Sequence, residues 1–200
     1  MKAVFYGDSN TYGYDPRGFF GGRYDEELIW TTLAEKALHG SWRIINEGMN
    51  GRQLPVGEYA YAYIERMLSV LSTGDIFAVM LGTNDLLVSL EPDAGVPVRR
   101  MEELLRRLTA KEGGPGLLII APPYIGTADH PDPLMARYYA ESVRMNEGYR
   151  RLSDEYGTLF ADSAKWGVEL AFDDVHFSEN GHRTFAGHIS EVLTRTEKRE

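Results

Sequence analysis

Short, nearly continuous apolar runs recur along the chain at Ala3-Val4-Phe5-Tyr6, Arg43-Ile44-Ile45-Asn46, Ile76-Phe77-Ala78-Val79-Met80-Leu81, Leu117-Leu118-Ile119-Ile120 and Leu159-Phe160-Ala161. Runs of this length suit strands covered on both faces, as in a parallel sheet. Between them lie longer amphipathic stretches, which predict helices over 26–39, 57–72, 97–111, 134–156 and about 178–195. Strand and helix in alternation predict an α/β layered fold. Tyr59-Ala60-Tyr61-Ala62-Tyr63 has the period of a strand, but its continuation through Ile64, Met67, Leu68 and Leu71 has helical spacing, so a helix is expected there.

A chain of 200 residues, 43% hydrophobic and 26% charged, is long and apolar enough to bury one core, and a single domain over 1–200 is expected. The net charge of −9, without a run of Lys or Arg, argues against nucleic acid and favours a small neutral substrate. No run approaches the roughly 20 apolar residues of a membrane span. The first apolar run starts close to Met1 with no leader pattern before it, so a cytoplasmic protein is expected. The sequence has no cysteine, which excludes disulfides, thiolate metal sites and a thiol nucleophile.

The polar residues that could carry chemistry stand at the ends of the apolar runs. Gly7-Asp8-Ser9-Asn10-Thr11-Tyr12-Gly13 follows the first, which places Ser9 where open α/β sheets bind ligands, beyond the carboxyl end of a strand. The plain alternative is a polar turn or helix cap. Gly82-Thr83-Asn84-Asp85 follows the third run, and an Asn84 amide there could donate to an anionic oxygen or simply start a turn. Asn46-Glu47-Gly48-Met49-Asn50-Gly51 closes the second, where Gly48 could present a bare N–H to the same point.

Near the other end stands Asp173-Asp174-Val175-His176. At a spacing of three, one helical or 3₁₀ turn brings Asp173 and His176 onto one face, and a carboxylate so placed can hold the imidazole Nδ1–H and leave Nε2 free as a base. The Asp174 side chain should point away, and His39, His130, His182 and His188 have no comparable partner in sequence. If the strands lie in the flavodoxin-like order 2-1-3-4-5, then Ser9, Gly48 and Asn84 meet at the switch point. The fifth strand is then roughly 15 Å from the first. The chain after it can extend about 46 Å at ~3.3 Å per residue, so His176 can return to Ser9.

These blocks resemble the SGNH hydrolases, also called GDSL-type esterases: Gly7-Asp8-Ser9 the first block, Gly48 in its stretch the second, Gly82-Thr83-Asn84-Asp85 the third and Asp173-Asp174-Val175-His176 the last, in the family's order. The resemblance implies a three-layer α/β/α sandwich, flavodoxin-like, with a five-stranded parallel sheet in order 2-1-3-4-5. It implies Ser9 as nucleophile, His176 as general base and Asp173 orienting it, with an oxyanion hole from the Ser9 and Gly48 N–H groups and the Asn84 side chain. The Gly-Met-Asn-Gly-Arg stretch is most similar to small arylesterases and acyltransferases acting on short acyl esters. One departure is Asn10, where the family's popular name has leucine.

Three other functions compete: a carbohydrate acetyl esterase with the same triad, a divalent-metal phosphoesterase using Asp8, Asn84, Asp173 and His176, and a noncatalytic module binding acylated sugars. One histidine without a second close ligand pair makes a poor metal cluster, so neither metal nor cofactor is expected. Tyr12, Tyr14, Phe19, Phe20, Trp30, Tyr124 and Tyr138 could line a pocket, pack in the core or join copies of the chain into a homo-oligomer. The glycine-rich 14–22 loop beside Ser9 has the composition of a lid or an oligomer contact.

Overall fold

The structure, a computed structural model, describes residues 1–18, 21–110 and 113–197. Its centre is a parallel sheet of β1 (Lys2–Gly7), β4 (Arg43–Gly48), β5 (Ile76–Met80), β6 (Gly116–Ala121) and β7 (Leu159–Asp162), in spatial order β4-β1-β5-β6-β7. In order along the chain these are the five expected strands, and the spatial order is the flavodoxin-like one. A small antiparallel ribbon of β2 (Tyr14–Asp15) and β3 (Gly22–Arg23) stands apart from it.

Alternation along each strand sends side chains to two faces. From β1, Val4 and Tyr6 join Phe77, Val79 and Ile119 under α3 (Glu58–Leu68), α5 (Gly95–Leu108) and α6 (Pro133–Tyr156), with Ile64, Met101, Leu104 and Tyr149 filling the layer. Ala3 and Phe5 join Ala78, Leu118 and Ile120 on the opposite face, under α2 (Trp30–Ala37) and α7 (Glu179–Glu197), which contribute Trp30, Ala34, Phe185 and Ile189. Each large side chain fully buried in this way contributes about 1.5–3 kcal/mol.

The helices are shorter than the amphipathic patterns at several ends. The stretch expected to be helical from 26 divides into a 3₁₀ turn at Glu26–Leu28 and α2, because Ile29 takes an extended conformation and is buried against Gly13. The tyrosine stretch is helical in α3, with Tyr61 buried and Tyr59 exposed. α3 stops at Leu68, short of the expected 72, and a turn then carries Leu71 into the core. The helix expected to run from 97 to 111 spans Gly95–Leu108 and is capped at Thr109, and position 111 lies outside the described residues, as do Phe19 and Phe20.

Two helices too short for a periodic pattern, α1 (Ser9–Tyr12) and α4 (Thr83–Leu87), follow β1 and β5 where loops were expected. Gly82 makes the second turn tight enough: its φ is +122°, and a Cβ there would lie 2.5 Å from Met145 Sδ and Tyr149 Oη. The register Gly7↔Gly48 and Gly7↔Met80 puts the ends of β4, β1 and β5 side by side. No described helix is long and apolar enough to cross a membrane.

Candidate active site

Ser9 opens α1 directly beyond β1 and is 7% exposed. The N-cap is Asp8, whose Oδ1 accepts from Asn10 N at 3.0 Å. The cap and the site are therefore one turn. In the first turn of a helix the Ser9 N–H has no intrahelical acceptor. Burial pushes the Asp8 carboxyl up to about 6, against the opposing pull of the Asn10 N–H and the nearby His176 and Arg52.

The Asp173–His176 segment is neither an α nor a 3₁₀ turn. It is the tip of a narrow loop closed by Ala171 N–H donating to His176 O at 2.6 Å, Ser178 N–H to Glu169 O at 3.1 Å and a Leu170–Phe177 bridge. Asp173 Oδ1 accepts the backbone N–H groups of Val175 and His176 at 3.2 and 3.0 Å, so a short carboxylate organises its own loop. Asp173 Oδ2 then lies 2.6 Å from His176 Nδ1. Partial burial alone would raise the Asp173 carboxyl, but hydrogen bonds from the His176 ring and backbone outweigh it and hold the group below its ordinary value. An ionised Asp173 fixes the proton on Nδ1, leaving Nε2 as an acceptor.

That nitrogen sits 2.9 Å from Ser9 Oγ, a closure between groups 167 positions apart in sequence. Tyr14, from the ribbon, lies against the imidazole with ring centres 4.5 Å apart. Asp174 points elsewhere, with φ +58° and its Oδ2 3.3 Å from His130 Nε2, so His130 does have a carboxylate partner. His182 is fully buried between Tyr24 and Phe177, accepts from Trp30 N–H, and is pushed down to about 4 by burial.

Asn84 stands in the first turn of α4, and its Nδ2 donates to Arg52 O at 3.1 Å. Its neighbour Asp85 is buried, bound to Arg100 at 2.5 Å and to Leu54 N–H at 3.0 Å, which anchors the turn. Burial raises the Asp85 carboxyl despite these partners. Arg52, 8% exposed, donates to Gly7 O at 3.0 Å and to Glu47 O, and stacks over Tyr6 at 4.1 Å. It ties the ends of β1 and β4 to the Asn84 turn.

Gly48 is placed otherwise than expected. Its N–H donates to Asn46 Oδ1 at 2.9 Å, and its Cα presses on α1 so closely that a Cβ would lie 2.1 Å from Tyr12 N. A glycine is required there for packing, and its N–H is engaged. Farther on, Arg52 N–H closes a turn onto Met49 O at 3.1 Å with Gly51 at φ +72°, and the Gly51 N–H has no hydrogen-bond partner among the described residues.

The residues of the metal reading do not converge as ligands. Asp173 is engaged with His176, Asp8 with its own turn and Asn84 with Arg52; among the described residues no group of three or more His, Asp or Glu is arranged to hold a metal ion. Of the aromatic candidates, Trp30 is core and Tyr138 is buried with its hydroxyl on Ser89 O. Tyr124 packs on Tyr139, and Tyr12 lies under Arg23.

Residues 5–184 match the model of the GDSL-like lipase/acylhydrolase family. The chain belongs to that family. Membership makes it an ester hydrolase. No curated protein matches the sequence. Among solved structures, a carbohydrate acetylesterase family member from Sinorhizobium meliloti superposes with a TM-score of 0.79 at 27% identity, covering 98% of each chain. A second carbohydrate acetylesterase from Sinorhizobium meliloti gives 0.82 at 22%, covering 98% of this chain and 99% of that one. The native M. smegmatis aryl esterase gives 0.82 at 20%, with the same coverage. The last two, at such identity, share the GDSL-like fold with this chain.

Sequence reasoning did not find roles for Asn10 or Arg52, and it had Tyr14 only as one of several aromatics able to line a pocket. The glycine-rich stretch that ends in Arg52 was a signal; for a side chain such as Asn10, whose partners lie far away in sequence, there was none.

Proposed function

We propose that this GDSL-like hydrolase is a metal-independent serine esterase for short acyl esters. Ser9 Oγ attacks the ester carbonyl and its proton passes to His176 Nε2; the C–O bond breaks and the alcohol leaves with that proton. Water then attacks the acyl-Ser9 ester, His176 takes its proton and returns it to Ser9, and the acid departs. Asp173 keeps Nδ1 protonated and steadies the imidazolium formed in each step. The continuous Asp173–His176–Ser9 hydrogen-bond chain, 2.6 and 2.9 Å, carries this reading.

The Ser9 N–H and Asn84 Nδ2 are the donors for the oxyanion, each worth about 2.7–4 kcal/mol in such sites. With the Gly48 N–H held by Asn46, the Gly51 N–H, which has no partner among the described residues and precedes the Arg52 carbonyl that holds Asn84, supplies the third. The aryl ester and acetylated carbohydrate substrates named for the structural neighbours are the two classes to try.

Release of p-nitrophenol from p-nitrophenyl acetate, by wild type and Ser9→Ala in excess chelator, tests the proposal. Turnover that survives chelation and disappears with Ser9 is expected. Equal turnover by both proteins removes Ser9 as nucleophile, and loss of wild-type turnover on chelation returns the site to metal chemistry.

A further inference from the structure

The only side-chain bridge the described residues show between the nucleophile turn and the backbone beside His176 comes from Asn10. Its Nδ2 donates to Val175 O at 3.0 Å and its Oδ1 accepts from Phe177 N–H at 2.9 Å. The two partners flank His176, so the amide pairs with the loop as a neighbouring strand would, on both sides of the imidazole-bearing residue. The residue that carries the amide is itself held: Asn10 is 5% exposed, and the buried Trp30 indole donates to its backbone carbonyl at 2.9 Å. Tyr24 Oη donates to Phe177 O at 3.2 Å from the other side.

We infer that Asn10 is a positioning residue that holds the His176 loop in register with Ser9, so that Nε2 stays within hydrogen-bond reach of Oγ. The inference rests on the serine esterase reading for its kinetic consequence and on geometry alone for its structural one. The loop's own bonds, from Asp173 and Ala171, shape it internally but do not tie it to β1 or α1. The Ser9–His176 bond is a single contact with the loop, whereas Asn10 adds a donor and an acceptor one residue away from Ser9. A misplacement of about 1 Å between nucleophile and base can cost 10²-fold in rate.

Asn10→Leu keeps the approximate volume and removes both bonds. Asn10→Asp keeps them only while its carboxyl is protonated, because the acid form can donate to Val175 O and accept from Phe177 N–H, whereas the anion faces a carbonyl. The ionisable groups around that carboxyl are Asp8 on the same turn, Asp173 and His176 on the loop, and Tyr24 and His182 beside Phe177.

Three readouts on the full chain test the inference: kcat and KM for p-nitrophenyl acetate, the pH profile, and the downfield NMR resonance of the His176 Nδ1 proton. For Asn10→Leu, kcat is expected to fall about 10²-fold with KM within about threefold, and the resonance to broaden or disappear. Asn10→Asp is expected to acquire a loss of kcat toward alkaline pH that wild type lacks. Wild-type kcat and an intact resonance in Asn10→Leu would overturn the inference, as would a wild-type pH profile in Asn10→Asp or losses confined to KM. Should Asn10→Leu not fold, the Asn10→Asp profile decides. If Ser9→Ala retains full turnover, the esterase reading has failed, and the Nδ1 resonance in the two Asn10 variants alone decides whether the amide positions His176.

Discussion

The two ends of the central sheet differ in what their polar groups are for. At the amino end lies a broad depression of about 880 Å³, lined by Lys2, Glu35, Lys36, His39, Arg43 and Asp75 among others. Its carboxylates hold backbone at the starts of strands and in a turn: Asp75 accepts from Lys2 and Ser72 N–H groups, and Glu35 from Ile44 N–H. At the carboxyl end, Asp8, Ser9, Asn10 and Asp85 are each no more than 7% exposed, and their partners come from the His176 loop and from α5 as well as from their own turns. Size marks the first end and convergence the second. Convergence is the better guide to chemistry, because an enclosed polar group must have a defined partner whereas an open cleft can be satisfied by water.

The sharpest way to break this contrast is Ser9→Ala, expected to lower kcat on p-nitrophenyl acetate by on the order of 10⁴-fold or more. Residual turnover near wild type would move the chemistry away from this end. Asn84→Ala is expected to cost about 10²–10³-fold in kcat, and normal turnover would remove its amide from the oxyanion site.

Asp8 extends the contrast to stability. Burial raises its carboxyl to about 6 in the folded protein from 3.8, so between those values the folded state binds more protons than the unfolded one. Stability due to this group therefore falls as pH rises through that window, and the penalty is complete above it. Asp8→Asn retains a capping side chain and removes the charge, and is expected to be more stable than wild type by about 1–3 kcal/mol at pH 7, with the difference vanishing below pH ~4. Denaturant titrations at the two pH values measure it; a gain independent of pH would show that desolvation of this carboxylate is not its cause. The smallest effect belongs to the amino end, where Lys36→Ala and His39→Ala are expected to leave kcat within about twofold and stability within about 0.5 kcal/mol. A large loss of turnover in either would give the big depression a function.

Legibility in the sequence followed the range of the interactions. Ile76–Met80 could be read as a buried strand because five consecutive apolar residues need cover on both faces, and α6 because its amphipathic stretch over 134–156 is long enough to show a helical period; its caps, Asp132 with Pro133 and Gly157, are seen in the structure. The four-residue α1 and the two-residue strands of the ribbon are too short to show a period. Asp173 and His176 could be paired from their spacing, yet the local form is a side-chain-capped loop tip rather than a helical turn, because Asp173 Oδ1 takes the Val175 and His176 N–H groups. Gly48 stood out as a glycine at a strand end, but the reason for it is the backbone of Tyr12.

By itself, then, the sequence determined the alternation of strand and helix, the residue types at each strand end and the SGNH family they resemble, since all of these are written in neighbouring residues. Only the tertiary structure decided that Asn46 occupies the Gly48 N–H, that Arg52 joins two strand ends to Asn84, and that Asn10 grips the backbone on both sides of His176. Those choices are made by buried donors and acceptors that must find partners wherever the packed chain brings them, up to 167 positions away, and no local pattern records which partner that will be.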